Sequence, residues 1–274
     1  MHSRYEVDYR HITSRCFVNA PWYDLKNHLL DTFLQYSIQP EIGLEGLCLY
    51  EESESTFRAV AEHLQKNNLS CTLHAPFFDL APGSLDPDIL ACSRNKLKKA
   101  FALIDIFKPK TIVCHLNFEE NKQGYKKDAW EESAFATWNE LLQMAIQCGC
   151  RLMLENTYEQ TPEAHKSILS KLNSKHAGFC LDVGHLMSFA KCDWQQWLPN
   201  LSPWLGQLHL HDNNGVQDQH LAPGRGNFDF QGLFQFFANN SLKPLVTLEP
   251  HSEEDLWQAL AYLDRSKILD MISC

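Results

Sequence analysis

Six apolar runs of this sequence end in a histidine, an aspartate or a glutamate, or are followed at once by one. The six runs supply His74, His115, Glu155, Asp182 with His185, His209 with His211, and Glu249, and the pair Asp218 and His220 follows shortly after His211. An ionisable group at the end of an apolar run must be satisfied by water, by a partner or by a metal. Carboxylates that converge repel one another, and a divalent cation removes that repulsion. The pattern therefore predicts a metal centre.

The ligand types indicate which metal this centre would bind. Imidazole mixed with carboxylate, without thiolate, favours Zn²⁺, Mn²⁺, Fe²⁺ or Co²⁺ over Ca²⁺ or Mg²⁺. Five histidines, counted without His211, favour zinc or manganese. The ten cysteines contain no Cys-x-x-Cys pair, which argues against a zinc ribbon or a thioredoxin-like redox site. We expect them to be buried as small apolar residues in a reducing compartment, the cytoplasm.

The elements that must position these groups alternate between strand and helix. Eight short apolar runs are predicted as strands covered on both faces, and each is followed by a stretch with helical spacing of apolar residues. The predicted strands are 16–20, 41–49, 70–74, 111–115, 151–155, 177–182, 207–211 and 244–249. Helix-start signals occur at Asp86-Pro87 and at Ser252, which precedes three acids.

Eight such units in 274 residues without a linker predict one (β/α)₈ TIM barrel spanning residues 1–274. A doubly wound open sheet is the alternative. It would usually carry a glycine-rich loop after its first strand, and residues 19–22 are not such a loop. Active sites of barrels lie at the carboxyl ends of the strands, so the six polar strand ends would converge on one spot.

The charge balance excludes several partners. The net charge of −10 gives no general basic field for nucleic acid or an anionic membrane, although a local basic patch is compatible with it. No apolar run approaches the roughly 18 residues that span a bilayer. Residues 1–15 carry several charges and no apolar segment, which is unlike a secretory signal. The composition is compatible with a monomer or with a homo-oligomer.

At these residues the sequence resembles the xylose-isomerase-like TIM barrels, which include sugar-phosphate isomerases and epimerases and the endonuclease IV type of apurinic-site nuclease. The resemblance runs from about Val18 to the end of the chain. Its motifs are Leu73-His74-Ala75-Pro76, Leu154-Glu155-Asn156-Thr157, Leu181-Asp182-Val183-Gly184-His185, His209-Leu210-His211-Asp212, Asp218-Gln219-His220 with Gly224-Arg225-Gly226, and Leu248-Glu249-Pro250.

The resemblance to the isomerases implies one metal held by Glu155, Asp182, His209 and Glu249. The metal would act as a Lewis acid on the enediolate of a small sugar or sugar phosphate, and Glu155 and Glu249, with pKa values tuned near neutrality, would move the proton. His185 would contact the polarised oxygen or a second metal. The expected substrate contacts are His211, Arg225, Phe77 and Trp22.

The resemblance to endonuclease IV implies instead three zinc ions and phosphodiester hydrolysis on abasic DNA or a smaller ester. The nine counterpart ligands are His74, His115, Glu155, Asp182, His185, His209, Asp218, His220 and Glu249, with Glu155 shared between two ions. Residues 50–55 contain three acids and no base where the nucleases carry polar and basic groups, and this argues against DNA. A non-catalytic barrel is the third alternative, against which the intact residue set argues.

Overall fold

Eight parallel strands close into a barrel in the computed structural model, which describes residues 7–272. Each strand pairs with the next along the chain, and β1 pairs with β8 to complete the ring. The strands are β1 Phe17–Pro21, β2 Gln39–Gly43, β3 Thr72–His74, β4 Thr111–His115, β5 Arg151–Glu155, β6 Ala177–Asp182, β7 Leu205–Leu210 and β8 Leu245–Leu248. The predicted (β/α)₈ barrel is confirmed, and the open doubly wound sheet is excluded.

Helices follow the strands and cover the outside of the barrel. After β1 the chain is helical from Trp22 to Gln35 with a π-helical turn at Leu25–Leu29. The longer helices after β2 to β8 are Glu54–Lys66, Pro87–Ala102 with Ile104–Phe107, Lys127–Gln147, Glu163–Leu172, Leu198–Leu201, Phe230–Asn239 and Glu253–Ser266. Shorter helical segments are Arg10–Thr13, Cys48–Glu51, Glu120–Gln123, Gly124–Lys126, Val183–His185, Leu186–Ala190, Trp194–Gln196, Ser202–Trp204 and Ile268–Ile272.

The predicted second strand is wrong in its bounds. The apolar pattern predicts a strand over residues 41–49, whereas β2 begins at Gln39 and ends at Gly43. The chain then turns through Gly46, whose φ of +61° is a left-handed conformation that favours glycine, and Cys48–Glu51 is helical. Leu44 and Cys48 are buried in the large apolar cluster, whereas Leu47 is exposed, so the apolar residues after Gly43 do not continue the strand.

Side chains alternate between the two faces of each strand, and this alternation divides the core. Outward residues pack against the helices in one large apolar cluster, whereas Val113, Met153 and Cys180 form a small separate cluster. Beside them lies a buried polar network in which Glu41 Oε2 accepts hydrogen bonds from Thr72, Gln207 and Thr247. No helix within residues 7–272 is both long enough and apolar enough to cross a membrane.

Candidate functional site

The nine predicted metal ligands meet at the carboxyl end of the barrel. Seven of them come from the ends of β3 to β8 or from the residues directly after them, and Asp218 and His220 come from the loop after β7. Their donor atoms fall into compact groups whose members lie within 4.8 Å of one another. Five such groups occur among the described residues: His74 with His115 and Glu155, Glu155 with Asp182 and His209, Glu41 with His209 and Glu249, Asp182 with His211 and Glu249, and His185 with His211, Asp218 and His220.

Glu155 and Glu249 reach the same imidazole. His209 Nδ1 lies 3.1 Å from Glu155 Oε1 and 3.1 Å from Glu249 Oε1. Glu155 also lies 3.1 Å from His74 Nε2 and 3.2 Å from His115 Nε2 through its second oxygen. Glu155 is therefore shared between two of the groups.

Three imidazoles are oriented by backbone carbonyl groups, as metal-binding histidines commonly are. His74 Nδ1 lies 2.9 Å from the carbonyl oxygen of Ala75, and His220 Nδ1 lies 3.0 Å from that of Glu249. His185 Nδ1 lies 2.8 Å from the carbonyl oxygen of Asn156. In each ring the Nε2 atom is then directed at the carboxylates, so these residues fit a divalent transition metal.

Neighbouring imidazoles hold the pKa values of Glu155 and Glu249 below their usual range. Burial would raise the pKa of Glu155, but the charges of His209 and His115 and their hydrogen bonds outweigh burial and hold it well below its usual range. Burial likewise opposes the lowered pKa of Glu249, which the charge and hydrogen bond of His209 produce. The expectation that both carboxyl groups titrate near neutrality in the working site stays a prediction.

Two of the imidazoles show the complementary shift. Burial would lower the pKa of His74, but the hydrogen bond and charge of Glu155 outweigh it and raise the pKa to about 9. The hydrogen bond from His220 to Asp218 similarly overcomes burial and raises the pKa of His220 to about 9. A metal ion bound here would compete with protons for these two imidazoles.

A cavity of about 1040 Å³ opens onto the cluster. His74, His115, Glu155 and Glu249 lie in its wall. Phe77 stacks on the His115 ring, with the ring centroids 4.5 Å apart and the planes inclined by 19°. The cavity is therefore large enough for a small molecule beside the metal ligands, with an aromatic face at one side.

Trp22 does not contact this cavity, and its predicted role as a substrate contact is wrong. Its side chain is 1% exposed and packs against Phe57, with ring centroids 4.3 Å apart, and against Phe107. The helix that starts at Trp22 turns this side chain outward into the core. His28 and Thr32 of the same helical stretch line the cavity instead.

His211 and Arg225 are also placed differently from the prediction. His211 is buried, its Nε2 lies 3.0 Å from both oxygens of Asp182, and it is not part of the cavity wall. Arg225 is exposed and donates a hydrogen bond to Gln258 Oε1 at 3.0 Å, outside the cavity. Both residues were expected to contact the substrate, but neither side chain lines the cavity.

Two buried glutamates near the site were not predicted. Glu41 Oε1 lies 3.1 Å from His209 Nε2, and neither atom has a hydrogen-bond partner elsewhere among residues 7–272. Glu159 accepts hydrogen bonds from the backbone N–H groups of Phe118 and Thr157 at 2.9 and 2.8 Å. Glu41 could have been found in the sequence, because a glutamate at an inward position of β2 is unusual in a barrel core. No local sequence feature marks Glu159.

Comparison with known proteins gives a family and a set of similar folds. The family model described as xylose isomerase-like TIM barrel matches residues 41–266. The uncharacterized protein MJ1311 of Methanocaldococcus jannaschii is 27% identical over 233 residues, which are 78% of this chain and 75% of the relative. A second uncharacterized protein of that organism, MJ1614, is 27% identical over 201 residues, 71% of this chain and 76% of the relative.

Solved structures share the architecture at low identity. A D-tagatose 3-epimerase-like protein superimposes with a TM-score of 0.78 at 21% identity, covering 93% of this chain and 98% of that one. The TTHB071 protein of Thermus thermophilus, soaked with ZnCl₂, has a TM-score of 0.78 at 23% identity, covering 92% and 97%. D-psicose 3-epimerase of Clostridium cellulolyticum with D-tagatose has a TM-score of 0.76 at 16% identity, covering 95% and 100%.

Proposed function

The chain belongs to the xylose isomerase-like TIM barrel family, and from that premise we propose that it is a divalent-metal-dependent isomerase or epimerase of a small sugar or sugar phosphate. The observation that carries the proposal is the pair Glu155 and Glu249, which share the imidazole of His209 and both line the cavity. Several similar folds are described as sugar 3-epimerases, which agrees with the proposal.

The residues that would hold the metal are Glu155, Asp182, His209 and Glu249. When bound, a divalent ion would supply Lewis-acid stabilisation of negative charge at the carbonyl oxygen. We propose zinc or manganese because the donor set mixes imidazole with carboxylate and lacks thiolate.

The two glutamates would transfer the proton at the carbon next to the carbonyl. One ionised carboxylate removes it, and the other glutamate, in its protonated form, returns a proton to the same or the opposite face. The neighbouring imidazoles lower the pKa of both carboxyl groups, so the proposed mechanism requires that the one acting as the acid be protonated when the substrate is bound. His185, whose Nδ1 pairs with the carbonyl oxygen of Asn156, would donate a hydrogen bond from Nε2 to the substrate oxygen.

A second function is favoured by a specific observation, which is the grouping of the predicted ligands into several clusters, two of which share Glu155. Such an arrangement could hold three zinc ions and activate a hydroxide for attack on a phosphate ester. In this case Glu155 would bridge two ions and would carry no proton. The substrate would be abasic DNA or a smaller phosphate ester.

Metal content together with isotope exchange distinguishes the two functions. We expect purified, never-chelated protein to contain about one zinc or manganese per chain and to exchange the α-hydrogen of a ketose with deuterium from solvent. Glu155→Gln and Glu249→Gln should each lower the exchange rate by at least about 10²-fold, which is the usual scale for general acid–base catalysis. Three tightly held zinc ions, with nicking of an abasic duplex that Glu155→Gln abolishes, would establish the second function instead.

We also propose that the protein is cytoplasmic. The nine cysteines among the described residues are free thiols, which suits a reducing compartment. Homo-oligomerisation stays a prediction, to be tested by light scattering.

A further inference from the structure

The glycine-rich loop after β7 has the form of an anion-binding loop, but its donors are used within the chain. Asp212 Oδ2 accepts hydrogen bonds from the backbone N–H groups of Gly224 at 3.0 Å and Gly226 at 2.9 Å. Its Oδ1 accepts from Phe228 at 3.1 Å and from Asn213 at 2.9 Å. Converging backbone N–H groups of this kind bind phosphate in many proteins. Here the Asp212 carboxylate occupies their centre.

Gly226 has no side chain, and this allows the Asp212 carboxylate to lie against the loop. A Cβ at this position would lie 2.2 Å from the carbonyl oxygen of Asn213 and 2.4 Å from Asp212 Oδ1. Glycine is therefore needed for the approach of the chain's own carboxylate. The loop has no free donors of this set for a phosphate of the substrate.

The last helix offers no phosphate site either. Phosphates in TIM barrels are often bound by the loops after β7 and β8 and by a helix N-terminus there. The helix Glu253–Ser266 is capped by Ser252 Oγ, which accepts from Asp255 N at 3.1 Å. Its first turn carries Glu253, Glu254 and Asp255. A phosphate group would meet negative charge at this helix end.

The rest of the cavity wall is also mostly negatively charged. Outside the nine predicted ligands, the carboxylates in the wall are Asp24, Glu45, Asp79, Glu119 and Glu253. The wall contains one lysine, Lys122, which pairs with Glu119 at 2.6 Å, and it contains no arginine among the described residues. Its remaining basic side chains outside the nine ligands are the imidazoles of His28 and His251. Five carboxylates therefore face a single paired ammonium group, which is unfavourable for a phosphate dianion.

The same wall suits a neutral polyol. Phe77, Phe78, Tyr158 and Phe189 line the cavity and offer flat apolar faces to the C–H bonds of a sugar. The carboxylates accept hydrogen bonds from hydroxyl groups, which carry no charge to repel. We infer that the site binds an uncharged polyhydroxy carbonyl compound, a free ketose, and discriminates against the same sugar carrying a terminal phosphate. This inference rests on the proposed function and narrows its substrate class.

Binding of matched sugar pairs tests the inference without turnover. Calorimetric titration of the metal-loaded protein would compare D-fructose with D-fructose 6-phosphate and D-ribulose with D-ribulose 5-phosphate, with inorganic phosphate alone as the control for direct binding to the metal. We expect each free sugar to bind at least tenfold more tightly than its phosphate. Equal or tighter binding of the phosphates, or binding of neither member of a pair, would overturn the inference.

Deuterium exchange on the same pairs separates this inference from the proposed function. Selective binding of free sugars without exchange at the α-carbon would support the inference and contradict the proposed isomerase. Exchange that is faster with the phosphorylated sugars would support the isomerase and contradict the inference.

Two neighbouring glutamates provide a matched pair of variants. Glu253 lines the cavity, whereas Glu254 lies in the same helical turn outside it, and each accepts a hydrogen bond from the residue four positions ahead. Glu253→Lys should raise the affinity for each sugar phosphate at least threefold relative to the affinity for the matching free sugar. Glu254→Lys should change neither affinity by more than twofold. Equal effects of the two variants would show that cavity charge does not set the preference.

Discussion

His209 lies between carboxylates on both sides. Its Nδ1 faces Glu155 and Glu249, and its Nε2 lies 3.1 Å from Glu41 Oε1. The second oxygen of Glu41 is held by Thr72, Gln207 and Thr247, so the carboxylate has little freedom to move. A carboxylate behind a metal-binding imidazole sets the tautomer and the direction of the ring. We therefore predict that Glu41 is a positioning residue for the proposed metal centre.

Replacing this carboxylate should weaken metal binding. We expect Glu41→Gln to lower zinc or manganese affinity about tenfold, because partners of this kind typically contribute roughly 10–100-fold. Affinity would be measured by competition with a chromophoric chelator, and Glu159→Gln, a buried change that leaves His209 untouched, should alter it by less than threefold. Equal metal affinity in Glu41→Gln and the unaltered protein would exclude this role.

Metal affinity should also depend on pH. Because the pKa values of His74 and His220 are raised to about 9 and a metal binds only the neutral imidazole, protons should compete with the metal at neutral pH. Affinity should therefore rise as the pH increases from about 6 to about 9, with protons released on binding. Calorimetry in buffers of different ionisation enthalpy would count these protons. A pH-independent affinity without proton release would contradict the assigned ligands.

At the scale of elements, Glu159 joins two loops of the site. Its carboxylate accepts from Phe118 N in the loop after β4 and from Thr157 N in the loop after β5. Asn117 and Thr157 of these loops line the cavity. Burial outweighs these hydrogen bonds and raises the pKa of Glu159 to about 7. Ionisation of this buried carboxyl group therefore destabilises the contact between the two loops.

Stability should report that ionisation. The pKa of Glu159 is about 4.3 in the unfolded chain and about 7 in the folded chain, so between these pH values the folded chain holds one proton more. The stabilisation that comes from the protonated Glu159 is therefore fully present below about pH 4.3 and is lost as the pH rises through about 7. The free energy of unfolding of the unaltered chain minus that of Glu159→Gln should fall by about 2–3 kcal/mol from about pH 4.5 to about pH 8. Urea unfolding in the presence of chelator measures it, and a constant difference would refute the assignment.

At the scale of the whole molecule, the residues that stabilise the fold and the residues of the candidate site lie in different parts of the barrel. The large apolar cluster lies between the strands and the outer helices, whereas the ionisable cluster lies at the carboxyl end of the strands. Trp22 belongs to the first region and Phe77 to the second. Substitutions in the two regions should therefore affect different measured quantities.

Two aromatic truncations test this separation. Trp22→Ala should reduce the free energy of unfolding by about 3–5 kcal/mol, since it leaves a large cavity in the core, and should leave the KM of the folded enzyme within twofold. Phe77→Ala should cost less stability because its ring is only partly buried, and it should lower kcat/KM at least tenfold. If Trp22→Ala instead lowered kcat/KM without loss of stability, Trp22 would be a substrate contact after all.

The barrel, and the convergence of the nine predicted ligands at its carboxyl end, could be predicted from the sequence. A strand covered on both faces is an apolar run, and a polar residue at its end is visible in the one-dimensional order of residues. In a barrel the ends of successive strands are neighbours, so the convergence of His74, His115, Glu155 and Glu249 follows from the topology alone.

Tertiary structure decided which neighbouring residues reach the cavity. Trp22 turns into the core because a helix starts at that residue, His211 is taken up by Asp182, and Arg225 bonds outward to Gln258. Glu41 acquires its role only because β7 places His209 beside it, 168 positions later in the chain. Strand ends are marked by local composition, but the direction of a loop side chain depends on the groups that packing brings to it from distant parts of the chain.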